Sequence, residues 1–240
     1  MVSKIPKVQL EEYTVDYDVR YSGKASKSRI DADIEKGITV VIPKELKEDC
    51  SPENILRNRK RWVKNRIQEF QNFKRDIPDR SYKEGETIKV LGQERKIQVS
   101  DRHELKEEIH LDKEKLKDST IKEELESLLR KEAKSKIQEK IEKYEEHVGS
   151  DYDKIYVRDQ KTRWGSCSPK DNLSFNWRLI LGPEHVLEYI VVHELAHLEE
   201  KNHDNKFWSK VKEMYPEYKK SNQWLSENSP KLVFDDEFEA

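Results

Sequence analysis

The sequence predicts an α+β protein, with strands gathered in its first third and helices dominating the rest. Three observations predict this. Residues 13–42 alternate between apolar and polar with the period of a strand. Residues 119–148 repeat apolar side chains at helical intervals, and residues 185–199 form a helix that is apolar on nearly every side. The 240 residues can bury a sizeable core as one domain or two small ones. Charged residues make up 40% and hydrophobic ones 34%, so that core is wrapped in a strongly charged surface. A formal net charge of -2 argues against a bulk nucleic-acid or membrane binder.

In YTVDYDVRY, Tyr13, Val15, Tyr17 and Val19 share one face. RIDADI and GITVVIP extend the pattern, with Gly37 turning between them and Pro43 closing the last. Ser51 before Pro52 is a helix start, a serine cap with proline at the first position. Ile55, Trp62, Val63, Ile67 and Phe70 give this helix its apolar stripe. Arg57, Arg59, Lys60, Arg61, Lys64 and Arg66 give it a basic face. ETIKVL and RKIQVS form a hairpin around Gly92. In the long helix that follows, Thr120 and Glu123 have capping-box spacing and Gly149 is the expected stop.

Beyond Gly149 the composition changes. Trp164, Trp177, Trp208 and Trp224 lie here, as do His185, His193, His197 and His203. KIYVRDQKTRWGSC and LSFNWRLIL read as two strands joined by SPKDN. Gly182-Pro183 opens a helix, Asp204 caps the next, Pro216 ends that one, and a last short helix holds Tyr218 and Trp224.

HELAHLEEKNH at 193–203 is the segment that carries chemistry. Residues four apart on a helix share a face, so His193 and His197 can reach one zinc ion. Glu194 sits about 100° round the helix, able to reach a metal-activated water as general base without taking a metal position. Buried polar side chains are expensive in so apolar a helix unless something satisfies them, and a metal would. The chain can leave the helix near Lys201-Asn202, with Asn202 in the left-handed cap conformation, and bring His203 back as third ligand. Three histidines leave a fourth position open, the catalytic rather than the closed structural arrangement. HELKEEIH at 103–110 starts alike but has Glu107 where the second ligand belongs, and it reads as solvated surface. His185 reads as a satisfied or exposed histidine.

VRDQKTRWGSCS, LSFNWRLIL, YIVVHELAHL, NHDNKFW and YPEY, in that order across about residues 150–226, resemble the YgjP-like metallopeptidase family. More distantly the chain is similar to the SprT and Spartan proteases. The resemblance implies a zincin-like metallopeptidase domain, a small sheet packed on the HExxH helix, preceded by a β-rich and helical N-terminal region. It implies one Zn2+ per chain on His193, His197 and His203, with Glu194 as the catalytic residue in peptide-bond hydrolysis. The organisation expected is an N-terminal region at 1–148, the metallopeptidase core at 149–226 and an acidic tail at 227–240, frayed at its end. The spacing to His203 matches metzincins, but Glu200 stands where their glycine would be.

Arg163, Trp164, Gly165 and Ser166 are candidates for substrate binding, as an edge strand that pairs with an extended peptide. Trp164 filling the core and Gly165 allowing close packing is the competing reading. Tyr215 and Tyr218, with Arg163, are candidate oxyanion donors. The partner is a protein or peptide substrate. Contact to nucleic acid through the basic helix at 55–67 is open but not favoured. Two other functional readings stand beside the peptidase. One is a non-catalytic zinc-stabilised module that binds nucleic acid or protein, its site closed by Cys167. The other is a DNA-associated protease of the SprT kind. MVSKIPKVQL reads as no signal peptide, no run approaches a membrane span, and Cys50 and Cys167 read as reduced thiols in a cytoplasmic protein.

Overall fold

A computed structural model describes residues 6–160 and 163–234. These pack as two units that divide between Asp76 and Ile77. No helix among the described residues is long and apolar enough to cross a membrane.

The first unit is a four-stranded sheet with two helices. Its strands are β1 (Lys7–Leu10), β2 (Tyr13–Ser22), β3 (Arg29–Asp33) and β4 (Gly37–Pro43), in the order β1-β2-β4-β3. β2 runs parallel to β4, and the other two pairings are antiparallel. The alternation read in β2 holds, since Val15 and Tyr17 are buried while Thr14, Asp16 and Asp18 are exposed. Gly37 turns the chain with φ +71°. β1 escapes a periodicity search because it is four residues long and turns into β2 through Glu11 at φ 56°. Ser51 caps α1 (Pro52–Asn58) by accepting the Asn54 N–H at 3.3 Å. One helix was expected here, but Arg59 (φ −118°, ψ 21°) separates α1 from α2 (Lys60–Arg75). Leu56 and Val63 are fully buried against Val8, Leu10, Val15, Tyr17, Val40 and Ile42. Trp62 departs from the expected apolar stripe and stands 37% exposed.

The second unit holds two small sheets and four helices. β5 (Thr87–Val90) and β6 (Gln93–Ser100) form the expected hairpin, turning through Leu91 (φ 51°) and Gly92 (φ 81°). Two positive φ angles in a row make the tight turn that favours Gly. β7 (Glu104–Leu105) and β8 (Ile109–Asp112) complete the order β5-β6-β8-β7. HELKEEIH is therefore only partly surface, because Ile109 is fully buried within it. α3 (Ile121–Tyr144) carries the full Thr120–Glu123 capping box and buries Leu125, Leu129, Ala133, Ile137 and Ile141. It gives way to a 3-10 turn at Glu145–His147, short of Gly149, whose N–H bonds the Glu199 carboxylate instead.

The second sheet contains β9 (Ile155–Arg158), β10 (Gly165–Cys167) and β11 (Leu173–Asn176), in the order β10-β11-β9. Lys161 and Thr162, inside the first expected strand, lie outside the described residues. The second expected strand stops early. The Asn176 side chain accepts the Arg178 N–H at 3.1 Å and turns Trp177–Leu181 into a buried 3-10 helix. α4 (Glu184–Glu199) then follows Pro183, α5 (Asn205–Met214) is capped by Asp204, and α6 spans Tyr218–Asn228.

α3, which the sequence groups with the N-terminal region, packs in this second unit along α4. Lys140 Nζ meets Glu184 at 2.6 Å, and Tyr144 Oη donates to Glu188 at 2.8 Å. The stretch from residue 227, expected as tail, stays folded as far as Phe234, which is 1% exposed with its ring 5.0 Å from that of Trp177. Residues 235–240, where fraying was expected, lie outside the described residues.

Candidate metal centre

α4 is buried on almost every side. Val186, Leu187, Val191, Val192, Leu195 and Ala196 are all inaccessible, and they fix its rotation. His193 and His197, one turn apart, therefore present their rings on the same side. The helix ends at Glu199, with Glu200 in an extended conformation (φ −119°, ψ 98°). No described residue from Glu200 to His203 takes a positive φ, so the expected left-handed Asn202 does not form. Glu200 makes the exit instead, and the chain still returns His203 to the helix.

The three imidazoles converge. His203 Nε2 lies 3.0 Å from His193 Nε2 and 3.1 Å from His197 Nε2. Among the described residues, these three form the group able to hold a metal ion. Phe207, fully buried, underlies all three, with its ring centroid 4.8, 4.4 and 4.8 Å from those of His193, His197 and His203. His203, Trp208 and Tyr218 continue outward as a stack of rings, 5.8 and then 5.5 Å apart.

The outer nitrogens set the tautomers. His197 Nδ1–H donates to the Glu200 carbonyl at 2.9 Å, which leaves Nε2 as a free lone pair. Tyr189 Oη lies 3.5 Å from His193 Nδ1 and donates to Asn222 Oδ1 at 3.3 Å, so the hydroxyl accepts from the ring. Burial, reinforced by His197 and His203, pushes His193 down to about 3, and burial also lowers His197. Burial thus favours the neutral forms of His193 and His197, and three ring nitrogens face one point. They suit a cation, and an all-imidazole set suits zinc.

Glu194 is 4% exposed. Burial pushes its carboxyl up to about 8, opposed by the Cys167 backbone N–H and by Arg163. Its Oε2 has no hydrogen-bond partner among the described residues. β10 lies directly over it. A methyl group on Gly165 would fall 2.6 Å from Oε1 and 2.7 Å from Cγ, so only glycine fits there. Ser166 and Cys167 continue β10, which pairs on one side with β11 and has no strand on the other among the described residues. Arg163 is exposed, while Trp164 is half-buried against the core. Tyr218 belongs to the ring stack, and Tyr215 packs half-buried on the core after α5.

The Cys167 thiol does not join the histidines. Its sulfur lies 3.5 Å from Lys201 Nζ and 3.6 Å from the Ser168 carbonyl, and burial raises it above the usual thiol range. His185 bonds the buried Ser221 at 2.9 Å, so it is a satisfied histidine. In sequence Tyr189 reads only as one of the apolar neighbours of the motif, and Asn222 and Phe207 do not stand out as site residues. Tyr189 had a signal, four residues before His193 on the same face. Asn222 and Phe207 come from other helices, and no local spacing points to them.

Compared with known families, residues 26–228 match the one described as YgjP-like, metallopeptidase domain. No curated protein matches the chain. Among solved structures, a match is the crystal structure of the metallopeptidase zymogen of Pyrococcus abyssi abylysin. It shares 21% identity, covers 40% of this chain and 99% of its own, and has a TM-score of 0.35, too low to bear on the fold.

Proposed function

Given that the chain belongs to the YgjP-like metallopeptidase family, we propose that it is a zinc-dependent peptidase, with His193, His197 and His203 as zinc ligands and Glu194 as general base. We read the small sheet lying over the motif helix as the zincin arrangement. The observation that carries this reading is the convergence of three imidazole nitrogens beside a buried carboxylate oxygen with no partner among the described residues. A purely structural metal site has no need of such a carboxylate. Nor does the Cys167 thiol stand where it could close the site.

Zinc, when bound, supplies Lewis acidity toward a carbonyl and brings a water's pKa toward neutrality. Glu194 takes the proton of the attacking water and delivers it to the leaving amine. Its high apo pKa reflects a dry site, where a carboxylate is a stronger base than in water. The Cys167 N–H and Gly165 fix the direction of the carboxylate. β10 is an edge strand, and Gly165, whose backbone groups face away from β11, would pair with an extended protein or peptide substrate while Arg163, Trp164 and Ser166 flank it. Of the two tyrosines we favour Tyr218 for an oxyanion role, since its ring stacks on Trp208, which stacks on His203. The unbridged Cys50 and Cys167 fit a reducing cytoplasm.

The test is metal content and peptide hydrolysis of the wild type beside Glu194→Gln and His203→Ala. Zinc in the wild type and Glu194→Gln, with cleavage by the wild type alone, supports the proposal. Cleavage by Glu194→Gln would sink the mechanism, and full zinc in His203→Ala would sink the ligand set.

A further inference from the structure

The chain as a whole is slightly acidic, but its first 76 residues are not. Residues 1–76 carry 17 Arg and Lys against 13 Asp and Glu, and the remainder 30 against 36. The excess is local. Residues 57–75 hold eight Arg and Lys with one acid, Glu69.

Trp62 stands on this basic helix, 37% exposed. Its ring helps to line a surface cavity of about 250 Å³, together with Ser28, Arg29, Ile30, Ile55 and Arg59. Ile30 and Ile55 make part of the cavity apolar. Arg29 and Arg59 add charge at its wall, and Arg66 lies 5.7 Å from the Trp62 ring. Several acids temper this charge, since Arg29 pairs with Asp31 at 2.8 Å and Arg66 with Glu69 at 2.5 Å. Arg59 has no ion pair among the described residues. Nor do Lys24 and Lys27, both exposed in the loop that leads into Arg29.

The mixture narrows the ligand. A free anion would use the arginines and leave the indole idle. An aromatic peptide side chain would use the indole and leave the arginines idle. A planar base carried on a phosphate chain uses both, and a single strand can turn a base into such a cavity without the cost of opening a duplex. We propose that this face binds single-stranded nucleic acid, with a base in the cavity against Trp62 and flanking phosphates on Arg59, Arg29 and the lysines of the 23–28 loop. The surface lies in the first unit, and the proposal does not rest on the metal centre.

The experiment is fluorescence anisotropy of the full-length protein with fluorescein-labelled oligothymidylate and oligouridylate of about 12 nucleotides. It is run at about 50 mM and about 200 mM salt. Binding should weaken with salt. Trp62→Ala should weaken it about tenfold, the scale of one lost base stack, with the circular dichroism spectrum unchanged because the ring is exposed. Arg59→Glu should weaken it and flatten the salt dependence, whereas Lys134→Glu on α3 should leave it unchanged. No binding at the lower salt would overturn the proposal. So would equal affinity in Trp62→Ala, tighter binding of base-free heparin, or equal affinity for a blunt duplex.

Discussion

Gly165 and Glu194 are in direct contact: a Cβ on Gly165 would lie 2.6 Å from Glu194 Oε1 and 2.9 Å from Cδ. The strand and the helix thus meet where a carboxylate has to be aimed, and the missing side chain makes the fit. Gly165→Ala should displace the carboxylate, lower kcat/KM by at least about tenfold and destabilise the fold by about 1–3 kcal/mol. Zinc content should not change. Wild-type turnover in Gly165→Ala would show that the contact does not aim Glu194.

Glu194→Gln keeps the shape of the side chain and removes the proposed base. Turnover should fall by about 10²–10⁴-fold at unchanged metal stoichiometry. Active-site titration with a peptide hydroxamate should still show one site per chain. Loss of the zinc together with the activity would mean that Glu194 is a ligand rather than a base.

The tautomer of His193 depends on Tyr189 and Asn222. Tyr189→Phe should weaken zinc binding by about tenfold, at the low end for a group that orients a ligand. His203→Ala should weaken it far more. Competition against a zinc-sensing dye ranks the variants, and equal affinities in wild type and Tyr189→Phe would remove Tyr189 from the site.

The metal-free protein should be most stable over a limited pH range. His193 is held near 3 in the fold and near 6.5 when unfolded, so the unfolded chain binds more protons below 6.5 and stability falls as the pH drops. Glu194 is held near 8 against an ordinary 4.5, so the folded chain binds more protons between these values and stability falls as pH rises through them. The second loss is on the order of a few kcal/mol and should vanish in Glu194→Gln. Thermal unfolding of the metal-free proteins from pH 5 to pH 9 measures it, and parallel curves for the two would refute the assignment.

Much of the second unit was legible because local signals and tertiary demands agree there. The capping box at Thr120 and Glu123, the hairpin through Gly92 and the buried character of α4 are all set within a few residues. The spacing of His193 and His197 gave their common face for the same reason. Other features depend on distant partners. Nothing near Arg59 marks a helix break, and Trp62 looks like core until the sheet occupies the opposite side. LSFNWRLIL reads as one strand because a 3-10 helix buried all round has no period to detect. α3 is tied to α4 by Lys140 and Glu188, charges that look solvated in sequence, together with the hydroxyl of the buried Tyr144.

Phe207 lies beneath all three histidines. It is fully buried and belongs to α5, whose first turn Asp204 secures through the N–H groups of Lys206 and Phe207. His203, itself exposed, is thus positioned by ring contacts with Phe207 and Trp208. If the chain is the zinc peptidase proposed, a chelator should abolish hydrolysis without unfolding it, and returning the ion should restore hydrolysis on the timescale of diffusion rather than of refolding. On the proposed zinc-peptidase reading, hydrolysis would then track the metal supply while the fold persists.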